Sequence, residues 1–223
     1  MSMLEISDIF AWPYRYSQFM FFTRKEERLV RSLFYHHERF RTADRALKHA
    51  YRFCNPYHVV KSYRKQLHRQ HPHSYGETPL TSFHAILSAI GTTAQDRFVD
   101  LGSGRGRIVL FVNTVWNLPS HGIEEIPFFI QQANSIGLSC FSIQNMLDAN
   151  LQNATIIYFY ALCLEDEILY MMAKKLSALA SSTRIITVSF PLQDIYDSFD
   201  IQKTLHSIVF PWGKTTVYIN SPR

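Results

Sequence analysis

Asp100, Gly102, Ser103, Gly104 and Gly106 stand in one run, Arg97-Phe-Val-Asp-Leu-Gly-Ser-Gly-Arg-Gly106, and their types set what that run can hold. The β-branched and aromatic residues at its start read as a strand, which alternating glycines break into a turn ahead of a helical pattern. Glycine permits positive φ and admits a ligand where a Cβ would collide, while the first amides of the next helix face the turn. Such a turn holds a nucleotide. Glu124 closes a second short run, Ser120-His-Gly-Ile-Glu124, about twenty residues beyond the first glycine, where an acid meets ribose hydroxyls. Spacing separates the candidates. A dinucleotide loop wants G-x-G-x-x-G/A, whereas this chain has G-x-G-x-G and places Arg107 where the third dinucleotide glycine belongs. Asp100, inside the strand, would repel a pyrophosphate and suit a cation. An ordinary strand-to-helix turn in a non-binding α/β domain is the alternative to both.

The elements that position these residues alternate. The pattern predicts strand 97–101, helix 105–117, strand 120–124, helix 127–136 opened by Pro127, strand 139–143, strand 155–160, helix 165–180 and strand 183–189, the order of a doubly wound α/β fold. Thr204–Phe210, the turn Pro211-Trp-Gly213 and Lys214–Asn220 read as a closing hairpin. Ahead of the glycine run, Thr78-Pro79 marks a helix start, with Leu80, Phe83, Leu87 and Ile90 as its buried face and Gly91 as its end.

Residues 1–74 read as a basic, aromatic-rich helical extension of a domain over 75–223. The extension holds fourteen Lys/Arg against six Asp/Glu, or +8, and the remainder nine against twelve, or −3, which together give the net +5. Such a charge imbalance fits an acidic protein, a nucleic acid or an anionic surface as partner, or simply a solvated helical face. Thr23-Arg-Lys-Glu26 has the form of a capping box, after which Leu29, Val30, Leu33, Phe34 and Phe40 supply an apolar stripe. Thr42 is placed to cap a second helix that Asn55-Pro56 ends, and a third spans about Tyr57 to Gln70. The aromatics between Phe10 and Phe22 are expected to pack on the fold, with base stacking or a membrane interface as alternatives. His68, His71 and His73 have no i, i+4 pair and no nearby cysteine, so a metal site is not expected. Three separated cysteines, Cys54, Cys140 and Cys163, read as buried thiols of a cytoplasmic protein. No run approaches the length of a transmembrane helix, and the start lacks the order of a signal peptide.

The glycine run with its strand acid resembles the nucleotide loop of class I S-adenosylmethionine-dependent methyltransferases. Tyr75-Gly-Glu-Thr78, a helix and then Phe98-Val-Asp-Leu-Gly-Ser-Gly104 resemble the core of the disruptor-of-telomeric-silencing family of histone lysine methyltransferases, as does Pro211-Trp-Gly-Lys-Thr-Thr-Val-Tyr218 near the end. The resemblance covers about residues 74–220 and implies a Rossmann-like, seven-stranded mixed sheet that binds S-adenosylmethionine and releases S-adenosylhomocysteine. It implies that Tyr75, Glu77 and Thr78 cover the methionine end, that Asp100, Gly102, Ser103, Gly104 and Gly106 form the loop, and that Glu124 takes the ribose hydroxyls. Asn145 and Met146 fall where the family carries an aspartate for the adenine amine and an apolar residue against the ring. Asp148 is an alternative to Asn145, and Ile126 or Pro127 would floor the adenine. After the fourth strand the histone enzymes carry asparagines, and this chain has Tyr158-Phe-Tyr160-Ala-Leu162. Tyr160 is then the candidate to orient an acceptor. The acceptor implied is a macromolecular nitrogen, a lysine type first, with RNA, a small molecule or a non-catalytic scaffold as alternatives.

Overall fold

A computed structural model describes residues 3–66 and 75–223, with side chains from Ser17 onward. Seven strands make one mixed sheet: β1 (Phe98–Leu101), β2 (Ser120–Glu124), β3 (Phe141–Ile143), β4 (Ile156–Phe159), β5 (Arg184–Val188), β6 (Phe199–Phe210) and β7 (Gly213–Pro222). Their order is β3-β2-β1-β4-β5-β7-β6. The first five are parallel, and β7 runs antiparallel to both β5 and β6. β4 reads Ile-Ile-Tyr-Phe and is buried along its whole length, as a strand covered on both faces must be. The chain winds outward from β1 through β2 to β3, then returns to β4 on the other side of β1. The crevice at the carboxyl ends of β1 and β4 is therefore the switch point where open α/β sheets bind ligands.

The expected strands are present, and the closing hairpin is longer than expected, β6 starting at Phe199. Asn220 pins that hairpin. Its amide donates to the Ile185 carbonyl and to Thr187 Oγ1, each at 3.0 Å, and its Oδ1 accepts from Leu192 N at 2.9 Å. Helices α4 (Leu80–Ile90), α5 (Arg107–Val115), α6 (Pro127–Ser135) and α7 (Asp166–Leu176) cover the sheet.

The N-terminal helices differ from their sequence signals. α1 runs unbroken through Met3–Phe34, so Thr23 lies inside a helix and donates back to the Phe19 carbonyl at 2.9 Å instead of capping. Glu26 does cap, but another helix: its two oxygens accept the Thr81 amide at 3.0 Å and the Thr81 hydroxyl at 2.6 Å at the start of α4. α2 (Glu38–Ala50) has its N-cap at His37, five residues before the Thr42 expected to cap it. α3 (Pro56–Gln66) begins at Asn55, whose Oδ1 accepts the Tyr57 amide at 3.0 Å. The expected stripe splits, because a turn at residues 35–37 moves Phe40 onto α2. Val30 and Phe34 are buried, while Leu29 and Leu33 face solvent.

Phe34 and Phe40 both meet Phe111 of α5 edge-on, at 4.8 and 5.5 Å between centroids. The extension thus shares one core with the sheet domain, and Phe111→Ala would remove rings from both, at a cost of about 3–5 kcal/mol. Phe21, in the segment expected to pack on the fold, is 72% exposed. His68, His71 and His73 lie outside the described residues. The three cysteines are half-buried and free. No helix among the described residues is long and apolar enough to cross a membrane.

Candidate functional site

The strand-to-helix turn is built as its glycines require. Gly102, Gly104 and Gly106 all have positive φ, and the Gly102 and Ser103 amides donate to the Ile123 carbonyl at 2.9 and 3.0 Å, tying the turn to β2. A Cβ on Gly104 would lie 3.0 Å from the Tyr75 ring, so that glycine also admits the Tyr-Gly-Glu loop. Around this turn lies a cleft of about 250 Å³, and Tyr75, Glu77, Thr78, Asp100, Gly102, Ser103, Gly104, Glu124, Asn145, Met146 and Tyr160 all line it. Gly106 stands one step back, as the residue that opens α5.

Two buried carboxylates face the cleft. Asp100, 3% exposed, is pushed up to about 8 by burial and then by repulsion from Glu124, so at neutral pH it is mostly protonated until a cation arrives. Glu124 is locked: its oxygens accept the Gly104 amide at 2.8 Å and the Ile126 amide at 2.9 Å. Burial still raises its pKa. Each oxygen retains a lone pair for a hydroxyl. Ser103 Oγ is buried with no partner among the described residues.

The Tyr-Gly-Glu loop is fastened from the opposite wall. Glu77 accepts the Tyr75 hydroxyl at 2.7 Å and an Arg105 nitrogen at 2.6 Å. Burial pushes the Glu77 carboxyl up, but Arg105 and Tyr75 outweigh it and hold the group below its ordinary value. Tyr75 stacks on Phe129 at 5.7 Å. Thr78, expected as a helix cap, turns its hydroxyl to Tyr158 instead, and Pro79, which stands at the N-cap of α4, offers no side-chain cap of its own, so the capping falls to Glu26.

At the adenine end, Asn145 is exposed and its Oδ1 accepts the Leu147 amide at 2.9 Å, an Asx turn. Met146 lies beside Gly102. Asp148 is exposed and does not line the cleft; Ile126 does, while Pro127 opens α6. At the far end the Tyr160 oxygen accepts Trp212 Nε1–H at 3.3 Å, and its ring stacks on Phe210 at 6.0 Å. Burial pushes the Tyr160 phenol above its ordinary value, so it is neutral and offers a proton rather than taking one. Gly76 makes room for it, since a Cβ there would lie 3.0 Å from the Tyr160 ring.

Sequence reasoning missed Arg105, which lies between two loop glycines, and Val60 and Arg64, which α3 brings to the cleft. Arg105 Nε is buried without a partner among the described residues. Arg107 is committed elsewhere, to Asp44 at 2.8 Å and Glu27 at 2.9 Å. An unpartnered hydroxyl, an unpartnered guanidinium nitrogen and a buried acid whose cost a cation would lift fit S-adenosylmethionine, which carries hydroxyls, a carboxylate and two positive centres.

The sheet order, the reversed last strand and this loop define a class I S-adenosylmethionine-dependent methyltransferase fold. Within that class, residues 57–134 match the family described as Histone methylation protein DOT1, a segment running from α3 through the glycine turn to α6. An RNA methyltransferase from Salinibacter ruber, in complex with S-adenosyl-L-homocysteine, has a similar fold: TM-score 0.53, 22% identity, 66% of this chain and 94% of that one. TrmN from Thermus thermophilus gives 0.52 at 15% identity, over 66% of this chain and 49% of its own. MtNAS in complex with MTA and tNA gives 0.50 at 11% identity, over 82% and 71%. No curated protein matches the chain in sequence.

Proposed function

We propose that the chain transfers a methyl group from S-adenosylmethionine to a nitrogen of a macromolecular acceptor that enters past Tyr160. The observation that carries this reading is the pair of buried carboxylates, Asp100 and Glu124, at the carboxyl ends of neighbouring strands on either side of a glycine turn. The DOT1-like segment and the folds similar to S-adenosyl-L-homocysteine and MTA complexes support it.

In this reading Asp100 takes the cationic methionine end, Glu124 and Ser103 the ribose side, Arg105 the carboxylate, and Met146 and Ile126 the adenine faces. Bound there, S-adenosylmethionine supplies an electrophilic methyl: the acceptor lone pair forms the new bond, the methyl–sulfur pair stays on sulfur, and the acceptor proton leaves to water. Displacement of this kind is governed by alignment, and Tyr160, held between Trp212, Phe210 and Gly76, is the group fixed at the acceptor side. Its neutral phenol orients and does not deprotonate. Calorimetric titration with S-adenosylmethionine, S-adenosylhomocysteine and NAD tests the reading. Micromolar binding of the first two alone is expected, and silence toward both would overturn it.

A further inference from the structure

The acceptor end of the cleft is an aromatic stack. Tyr160, Phe210 and Trp212 lie ring on ring, at 6.0 and 5.2 Å with interplanar angles of 22° and 23°, leading from the end of β4 to the hairpin turn. Trp212 is 53% exposed, and its only donor is already given to Tyr160, so what it presents outward is an unoccupied indole face. Tyr57, 43% exposed, meets Tyr75 edge-on at 5.2 Å. Its hydroxyl is within electrostatic reach of Tyr160.

The same rim is cationic. Arg64 lines the cleft, and Lys61 and Lys65, both exposed, share its face of α3 at the i, i+3, i+4 spacing. Three acids of the extension turn inward, Glu26 capping α4 while Glu27 and Asp44 hold Lys48 and Arg107, and Glu38 stays exposed beside Arg41. The positive charge of the extension is thereby left facing solvent.

We propose that the acceptor is a base in a single-stranded polynucleotide, its phosphates on α3 and its ring in the aromatic mouth beside Tyr160. The proposal rests on the methyltransferase reading above. Open ring faces beside lysine and arginine are what single strands require, since every base has a π-face and every linkage a negative charge. A basic peptide carrying a lysine would be repelled by Lys61, Arg64 and Lys65. An acidic protein would satisfy the charges and leave the rings unused. Bases in an intact duplex stay stacked on one another, away from Tyr160.

The test uses the full chain without cofactor and fluorescein-labelled RNA or DNA of about sixteen nucleotides, the upper end of a single-strand site. Fluorescence anisotropy should show the strand bound at least about tenfold more tightly than its duplex or than polyglutamate, with a log–log salt slope of about −2 for three phosphates. Lys61→Glu with Lys65→Glu should flatten that slope to about −0.7 and leave S-adenosylhomocysteine affinity unchanged. Trp212→Ala should erode the preference for single strands and leave the slope alone. Equal binding of strand and duplex, polyglutamate binding as tightly as RNA, or no binding of either strand would overturn the proposal. Calorimetry with S-adenosylhomocysteine on the same protein separates the two failures. Silence there removes the methyltransferase reading, whereas cofactor binding without strand binding removes the base alone.

Discussion

Asp44, fully buried on α2, accepts Arg107 Nε at 2.8 Å from the first residue of α5, so the N-terminal extension holds the helix that follows the nucleotide turn. Burial alone would raise the Asp44 pKa; Arg107 and Lys48 outweigh it and bring the carboxyl down to about 2 from 3.8. A depressed acid stabilises the fold above its unfolded pKa, and that stability is lost as pH falls from about 4 to 2, amounting to about 2 kcal/mol. Asp44→Asn leaves Arg107 buried with only Glu27 and should cost about 3 kcal/mol in urea unfolding at neutral pH. A cost within 0.5 kcal/mol, on the order of a surface substitution, would mean the pair is replaceable by water.

Arg105 should discriminate ligands by their carboxylate. Its Nε has no partner among the described residues while its terminal nitrogen holds Glu77, so one guanidinium bridges the Tyr-Gly-Glu loop and the open cleft. Arg105→Gln is expected to weaken S-adenosylhomocysteine by about 1.5–3 kcal/mol, the scale of a hydrogen bond to a charged group. 5′-Methylthioadenosine lacks the carboxylate and should bind variant and parent alike. Equal losses for both ligands, read by calorimetry, would show that Arg105 merely shapes the loop.

Tyr160 and Gly76 should behave as one unit. Tyr160→Phe removes the oxygen that Trp212 donates to, and Gly76→Ala puts a methyl 3.0 Å from the Tyr160 ring, forcing it aside. Both variants should lower kcat by about tenfold or more, in line with misplacement of an aligning group. S-Adenosylhomocysteine affinity should stay within about twofold. Steady-state kinetics beside calorimetry gives the split, and full turnover by Tyr160→Phe would take the phenol out of the mechanism.

What the sequence made legible was local. The glycine turn, the strand acid and Glu124 could be read because each owes its place to a strand end or a φ angle within its own few residues. The succession of strands and helices followed from the same alternation. The misread signals share one cause, a partner far along the chain. Glu26 fits a capping box with Thr23 but reaches Thr81, 55 residues on; Thr78 fits a helix cap but turns to Tyr158, 80 residues on. In each case the tertiary fold brings a second polar group within reach from far along the chain, and that placement outweighs local propensity. Arg64 was invisible as a site residue for the same reason, because α3 meets the cleft only in the folded chain, and Arg105 because its partner Glu77 lies 28 residues back.

Asp100 should couple cofactor binding to pH. With its pKa pushed up to about 8 by burial and Glu124, the empty protein carries a proton there at neutral pH. A cationic ligand needs the carboxylate, so binding must expel that proton. S-Adenosylhomocysteine affinity should therefore rise by about tenfold per pH unit below 8 and level off above it. Calorimetry in two buffers of different ionisation heat should report close to one proton released at pH 7. The stability sign is opposite to that of Asp44. A raised acid stabilises the fold below its unfolded pKa, and this contribution is lost as pH rises through about 8, so ionised Asp100 is a burden on the empty protein. Asp100→Asn should accordingly raise the Tm of the empty protein at pH 8 while abolishing the pH dependence and most of the affinity. A variant that loses affinity but also unfolds earlier would show that Asp100 serves the fold; one that binds as before would remove it from the site.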